Sequence, residues 1–270
     1  MSCHKISFCI ISGLIILFFT ACTPTGYFIS PMYGNSTPHH TTPMQTDSTK
    51  NTWYLNTAFS PGYNNNSYDY TFAGQANIYR ANTFNHFNIY YGSGITLGNY
   101  NADLYYSSKR YNNPNLTSST DHFFGSLNVN GGLNFVIPFN QTGEWRVLGL
   151  HTSLQQEFGG YLNFRKGFNP DSVDGVAKSS FLNTVGLSSE LAFNLPRNIK
   201  LGGFLQYNFL IGTEYKDIYF GENLEAGITR YQYISLGFFM GFKRYMFFIQ
   251  SNNGDQMFSA SFGMNYRLRR

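Results

Sequence analysis

The chain has little charge. Lys, Arg, Asp and Glu make up 12% of its 270 residues, about half the share in a typical soluble domain. The formal charge of +4 comes without a basic stripe or a recognition motif, which argues against nucleic acid as a partner. Cysteine is scarce too. Cys3, Cys9 and Cys22 are the three in the sequence, all at the N-terminal end, so no disulfide framework is expected. After the first twenty residues no run of 18 apolar side chains occurs, which excludes a membrane-spanning helix there. No cofactor motif is present: Gly92-Ser93-Gly94 has no following helix to make a phosphate loop.

Rings and small polar residues are abundant. Aromatics reach 19%, with 27 Phe and 21 Tyr, among many Asn, Ser and Gly. The first residues have the three parts of an export signal: Lys5, an apolar stretch from Ile6 to Phe19, and a small residue before the cut. Phe19-Thr20-Ala21-Cys22 resembles the lipobox of bacterial lipoproteins, which implies cleavage before Cys22 and acylation there. Residues 1–21 are therefore read as a signal peptide and Cys22 as the lipidation site.

Residues 22–51 differ from the rest of the chain. Pro24, Pro31, Pro38 and Pro43 stand among Thr, Ser, Asn and Gln, with little periodic hydrophobicity. The composition predicts a flexible or extended tether. His39-His40 lie in it without a neighbouring Cys or carboxylate cluster, so they are expected to be solvated and to bind no metal.

From residue 52 to 270 the pattern changes to a period of two. Val185, Leu187, Leu191, Phe193 and Leu195 alternate with Thr184, Gly186, Ser188, Glu190, Ala192 and Asn194. Residues 126–137, 199–211 and 258–268 do the same. Such alternation is the strand signature. The apolar faces are large and the other faces are Gly, Ser, Asn, Thr and Ala. Large side chains would overfill a barrel interior, and the small amides would make an outer surface with almost no charge. Apolar outside and polar inside is the membrane arrangement. The expectation is all-β: one antiparallel up-and-down barrel of about ten strands, with 8 to 12 possible. The strands are placed near 52–60, 68–80, 84–98, 123–137, 145–162, 181–195, 199–212, 228–242, 245–251 and 256–268.

Connections alternate in length. Residues 81–83, 138–143, 196–198 and 243–244 are short; 99–122, 163–180 and 213–227 are long; 252–255 is a short exception on the long side. Short turns on one rim and long loops on the other are the outer-membrane pattern, with the short turns periplasmic. An even strand number brings both ends of the barrel domain to the short-turn rim. The tether, the termini and a lipid anchor at Cys22 are then expected at the periplasmic side.

The lipobox, the Pro-Tyr-Asn tether and the final strand Phe262-Gly263-Met264-Asn265-Tyr266-Arg267 together resemble the lipid-anchored outer-membrane barrel proteins of Bacteroidota. Some of these lipoproteins reach the cell surface through an acidic signal after the cysteine. Thr23-Pro24-Thr25-Gly26 carries no acid, which again implies a periplasm-facing anchor.

Candidate chemistry is sparse. His151, Ser153 and Glu157 share a strand face and could form a hydrolase triad on a barrel, acting on lipid A. Alternate strand residues are about 7 Å apart, however, which strains direct contact. Interior hydrogen bonding among His86, His151, Gln155, Glu157, Glu190 and Lys200 explains them as well. Asp171-Ser172-Val173-Asp174-Gly175 lacks the further ligands of a calcium loop and reads as a turn. The expectation is a non-enzymatic outer-membrane lipoprotein without cofactor or metal. It would touch outer-membrane lipids and act through loops 99–122, 163–180 and 213–227 or as a subunit of an envelope complex. The alternatives are a narrow pore, a lipid A-modifying hydrolase, and a lipid-tethered periplasmic barrel binding an apolar ligand. Tyr79, Tyr90, Phe204 and Phe239 on the inward phase argue that the lumen is obstructed.

Overall fold

A computed structural model describes residues 27–64, 69–102, 120–139, 142–167, 175–211, 232–254 and 257–268. Cys22, the segment before it and residues 171–174 lie outside the described residues, as do most of loop 99–122 and all of loop 213–227. In chain order the elements are β1 (Tyr27–Phe28), β2 (Asn51–Asn64), β3 (Tyr70–Thr83), β4 (Phe87–Ala102), β5 (Thr120–Phe139), β6 (Gly143–Phe158), α1 (Gly160–Gly167), β7 (Gly175–Val176), β8 (Phe181–Leu195), β9 (Ile199–Ile211), β10 (Gln232–Phe242), β11 (Tyr245–Gly254) and β12 (Met257–Arg267).

Ten of these strands close into one antiparallel barrel, each paired with its neighbour in sequence, and β12 pairs back onto β2. The strands run from 10 to 20 residues, enough to cross a bilayer with tilt. Among the described residues no helix is long and apolar enough to do so.

The alternation sorts the two faces as expected. Leu187, Leu191 and Phe193 are exposed, while Ala192 and Thr184 on the same strand are buried. Leu127, Val129, Leu133, Phe238, Met240 and Phe247 are also exposed, part of an apolar belt around the wall. Inside lie Asn56, Ser60, Asn77, Ser126, Asn208, Ser235 and Asn265, each almost fully buried. This is a membrane-spanning barrel by its two surfaces: no aqueous surface of this size is made of Leu, Phe and Val.

Leu187 lies close to the middle of β8 and is 45% exposed. Leu187→Arg should cost about 2–4 kcal/mol, as for a cation at a bilayer midplane. A cysteine at 187 should react in membranes with a lipid-soluble maleimide and resist an aqueous one. Protection from both reagents would mean that protein covers the face.

Two irregularities aim the interior side chains. β6 shifts register between Arg146 and Gly149. The bulge lets Glu144 and Arg146 point inward below it and Gly149, His151, Ser153, Gln155 and Glu157 above it. Val136 becomes inward-facing where β5 shifts register at Phe135.

Interior glycines leave notches for rings across the strand pair. A Cβ on Gly202 would strike the Phe239 ring, one on Gly237 the Phe204 ring, and one on Gly132 the Tyr90 ring. Gly202→Val should therefore lower barrel stability by about 1–3 kcal/mol through overpacking, read from the urea midpoint in micelles. An unchanged midpoint would show that the ring moves aside freely.

Some boundaries differ from expectation. The strand expected at 145–162 stops at Phe158, because Gly159 takes a positive φ of 112° and α1 follows. The turn expected at 81–83 lies at 84–86, closed by the Phe84 amide on the Phe87 carbonyl. His86, expected inside, is consequently exposed in that turn.

The larger difference concerns residues 27–50. Their composition predicts a loose tether outside the barrel. Most of the segment is instead packed inside the lumen: Phe28 through Thr37 and His39 through Met44 are buried. The physical reason is the barrel's own interior. Rows of inward Asn, Gln, Ser and Tyr must find partners, and a chain without regular structure offers its backbone.

Candidate functional site: the occupied lumen

The inserted segment begins at the long-loop rim. There β1 pairs in parallel with β7. Phe28 and Met32 join Tyr100, Phe124, Tyr161 and Leu182 in one buried apolar cluster. The Tyr161 ring of α1 stacks on Tyr100 with centroids 3.9 Å apart. Beside this lid the Arg165 guanidinium pairs with the Glu157 carboxylate, which also accepts the Ser30 hydroxyl. Residues 31–36 turn compactly, with the Tyr33 hydroxyl donating to the Gln232 carbonyl at 2.8 Å.

Below the lid, residues 37–44 run without regular secondary structure. Their orphan carbonyls, and those of the turn above, are met by side chains of the wall. Gln75 donates to the Asn35 carbonyl (2.7 Å), Gln155 to Ser36 (3.2 Å) and Gln250 to Thr37 (3.1 Å). Asn56 and Asn265 both donate to His39, at 3.1 and 3.3 Å. Tyr79 donates to Thr41 (3.0 Å), Arg146 to Thr42 (3.1 Å) and Thr83 to Pro43 (2.7 Å). Each such carbonyl left unpaired in a buried site would cost about 1–3 kcal/mol.

The two histidines, expected in solvent, are rings of this plug. His39 stacks on Phe204 and Phe239 at 4.4 and 5.0 Å. His40 stacks on Tyr90 at 4.9 Å and meets Tyr79 edge-on. Interior aromatics therefore do obstruct the lumen, but with the histidines between them. Among the described residues no group of three or more His, Cys, Asp or Glu is placed to hold a metal ion.

Near the short-turn rim the plug is clamped by charge. Arg146 pairs with Glu144 at 2.9 Å and with Glu190 at 2.6 Å. Glu144 in turn accepts the Gln45 amide at 2.7 Å. Asp47 receives the Lys200 ammonium at 2.5 Å, and Asn194 donates to Thr46 at 2.7 Å. From there the chain passes directly into β2.

The triad candidate is not assembled. The His151 Nε2 lies 2.7 Å from the Asn208 amide oxygen. Ser153 accepts from Gln155 at 3.3 Å. Glu157 is engaged by Arg165 and Ser30. All three residues face the filled lumen. Sequence reading found the inward face but missed the plug. No local signal marked it, because the interior amides also bond to other side chains of the wall, as Asn56 does to Asn265 and Asn252 to Ser259.

No protein-family profile and no curated protein matches the chain. Several solved structures are similar in shape. The COG4313 outer membrane channel of Pseudomonas putida F1 is 8% identical, with a TM-score of 0.41, over 85% of this chain and 100% of that one. The β domain of the Bordetella autotransporter BrkA is 11% identical, with a TM-score of 0.44, over 82% and 100%. The KdgM porin in complex with disordered oligogalacturonate is 9% identical, with a TM-score of 0.29, over 79% and 99%. By its closed wall, apolar belt and polar interior, this chain is a β-barrel of the outer-membrane type.

Proposed function

We propose that the protein is a non-enzymatic, lipid-anchored barrel of the outer membrane whose lumen is permanently stoppered by its own N-terminal segment. On this reading it works through its long loops, as a surface receptor or as a subunit of an envelope complex. The observation that carries the proposal is the filled lumen. Segment 28–44 occupies the space that a porin would leave to water, and hydrogen bonds and ring stacks fix it from rim to rim. A closed barrel leaves its loops to contact a partner, with α1 and β7 as a rigid base for one of them. The lipid at Cys22 would add hold on the membrane at about 0.8 kcal/mol per buried CH₂.

The test has two parts. The full chain in a planar bilayer should show no single-channel steps. Deleting each of the loops 99–122, 163–180 and 213–227 in turn should abolish co-purification of an envelope partner for at least one of them. Partners retained after all three deletions would overturn the proposal. Ser153→Ala is expected to leave the acyl pattern of lipid A unchanged by mass spectrometry. An altered pattern that disappears in this variant would establish an enzyme.

A further inference from the structure

The direction of the plug decides where the mature N-terminus goes. Residue 51 starts β2 at the short-turn rim, the rim that carries the 84–86 and 196–198 turns. Asp47, Thr46 and Gln45 are bound at that same rim. Tyr27 and Phe28 pair with β7 at the opposite rim, where Phe28 packs in the cluster of Tyr161. Traced backwards from the barrel, the chain enters the lumen at the short-turn rim and leaves it at the long-loop rim.

We infer that the barrel carries its own N-terminus through its lumen to the outer face, so that Cys22 and any acyl chains on it are delivered to the outer leaflet. The acylated part of this statement rests on the lipid anchor proposed above; the exit does not. The distances support no other destination. Cys22 lies five residue steps before Tyr27, a reach of at most about 18 Å fully extended. Strands of 13 to 16 residues give a wall about 33–40 Å high at a 40° tilt. Cys22 therefore cannot return to the other leaflet, and residues 28–44 already fill the way back. The same reach does clear the rim. Ten strands about 4.8 Å apart make a wall of roughly 10 Å radius, so a residue leaving the lumen gets to the surrounding headgroups within five residues. The long-loop rim is the extracellular one in barrels of this type. The passage also explains the absent acidic surface-export signal: the segment is carried out by the barrel it stoppers.

The experiment uses the full chain in intact cells. Thr25→Cys places a thiol just ahead of the plug. A membrane-impermeant maleimide should label it as strongly before permeabilisation as after. A short epitope inserted after Thr25 should stain on intact cells, as the same epitope does in loop 213–227. An epitope following Arg270, at the short-turn rim, should stain only after permeabilisation. Heat-modifiable migration on gels confirms that each variant is a folded barrel. Labelling of position 25 only in permeabilised cells would overturn the inference. Mass spectrometry of the N-terminal peptide separates the two claims. External labelling with an unmodified Cys22 would keep the exit and refute the lipid anchor. External labelling with an acylated Cys22 supports both.

Discussion

Deleting residues 28–44 should turn a silent barrel into a conducting one. The deletion removes the segment that blocks the lumen and leaves a wall that can be wetted. Gln75, Gln155, Gln250, Asn56 and Asn265 lose the carbonyls they now hold, and water replaces these at little cost once the lumen opens. The new pore will be narrow. Tyr79, Tyr90, Phe204, Phe239 and Phe248 remain in place, and a ten-stranded barrel has little lumen to spare. Small, cation- and anion-permeable steps are therefore expected in a planar bilayer, absent from the full chain. A gentler variant, His39→Ala with His40→Ala, removes the ring stacks and the approach of His39 to Glu190 at 3.9 Å but keeps the backbone bonds, and should give brief openings. Heat-modifiable gel migration checks that each barrel still closes. A folded deletion variant with no conductance would show that the wall side chains collapse and seal the lumen unaided.

The wall was legible because its signal is geometric. A period of two needs only the order of residues, and β8, β9 and β12 show it over their whole lengths. Leu187 and Leu191 outside, Ser126 and Asn208 inside, follow from that period together with the size of a barrel interior. The errors fall where another interaction overrides the period. Gly159 ends β6 through a backbone angle that hydrophobicity does not report. The Phe84–Phe87 turn sits three residues later than composition suggests, and His86 moves with it.

The plug was not legible, for a different reason. Its sequence has the composition of a solvated tether, and by itself it would be one. Pro38 and Pro43 favour an extended backbone below the 31–36 turn, and the plug's Ser, Thr and His side chains are engaged by the wall. What orders it is the complementary wall, spread over strands up to 226 residues away, as in the Asn265 bond to His39. That information is non-local, and no window of the sequence contains it. The interior hydrogen bonding expected of His151, Ser153 and Glu157 was legible from their shared face, but their distant partners were not. Asn208 comes from β9 and Ser30 from the plug, both far away in sequence, while Gln155 and Arg165 are close by.

Arg146→Ala should be the most destabilising single substitution on the wall. Arg146 is 2% exposed and Glu144 1%. Its guanidinium binds Glu144, Glu190 and the Thr42 carbonyl at once. Removing it strands two carboxylates in a closed interior and frees a plug carbonyl. Breaking a buried pair in this way costs about 3–5 kcal/mol, here with a second carboxylate added. The variant is expected to unfold at a clearly lower urea concentration in micelles and to conduct intermittently as the plug loosens. A triple variant, Arg146→Met with Glu144→Gln and Glu190→Gln, removes the charges together and should recover most of the loss, since a buried ion pair is often no better than neutral packing of similar volume. If Arg146→Ala alone leaves both the urea midpoint and the closed state intact, the clamp contributes nothing, and the plug is held by its lid and its amide contacts. If the triple variant is as unstable as the single one, the guanidinium acts through its shape and its bond to Thr42 rather than by neutralising the two acids.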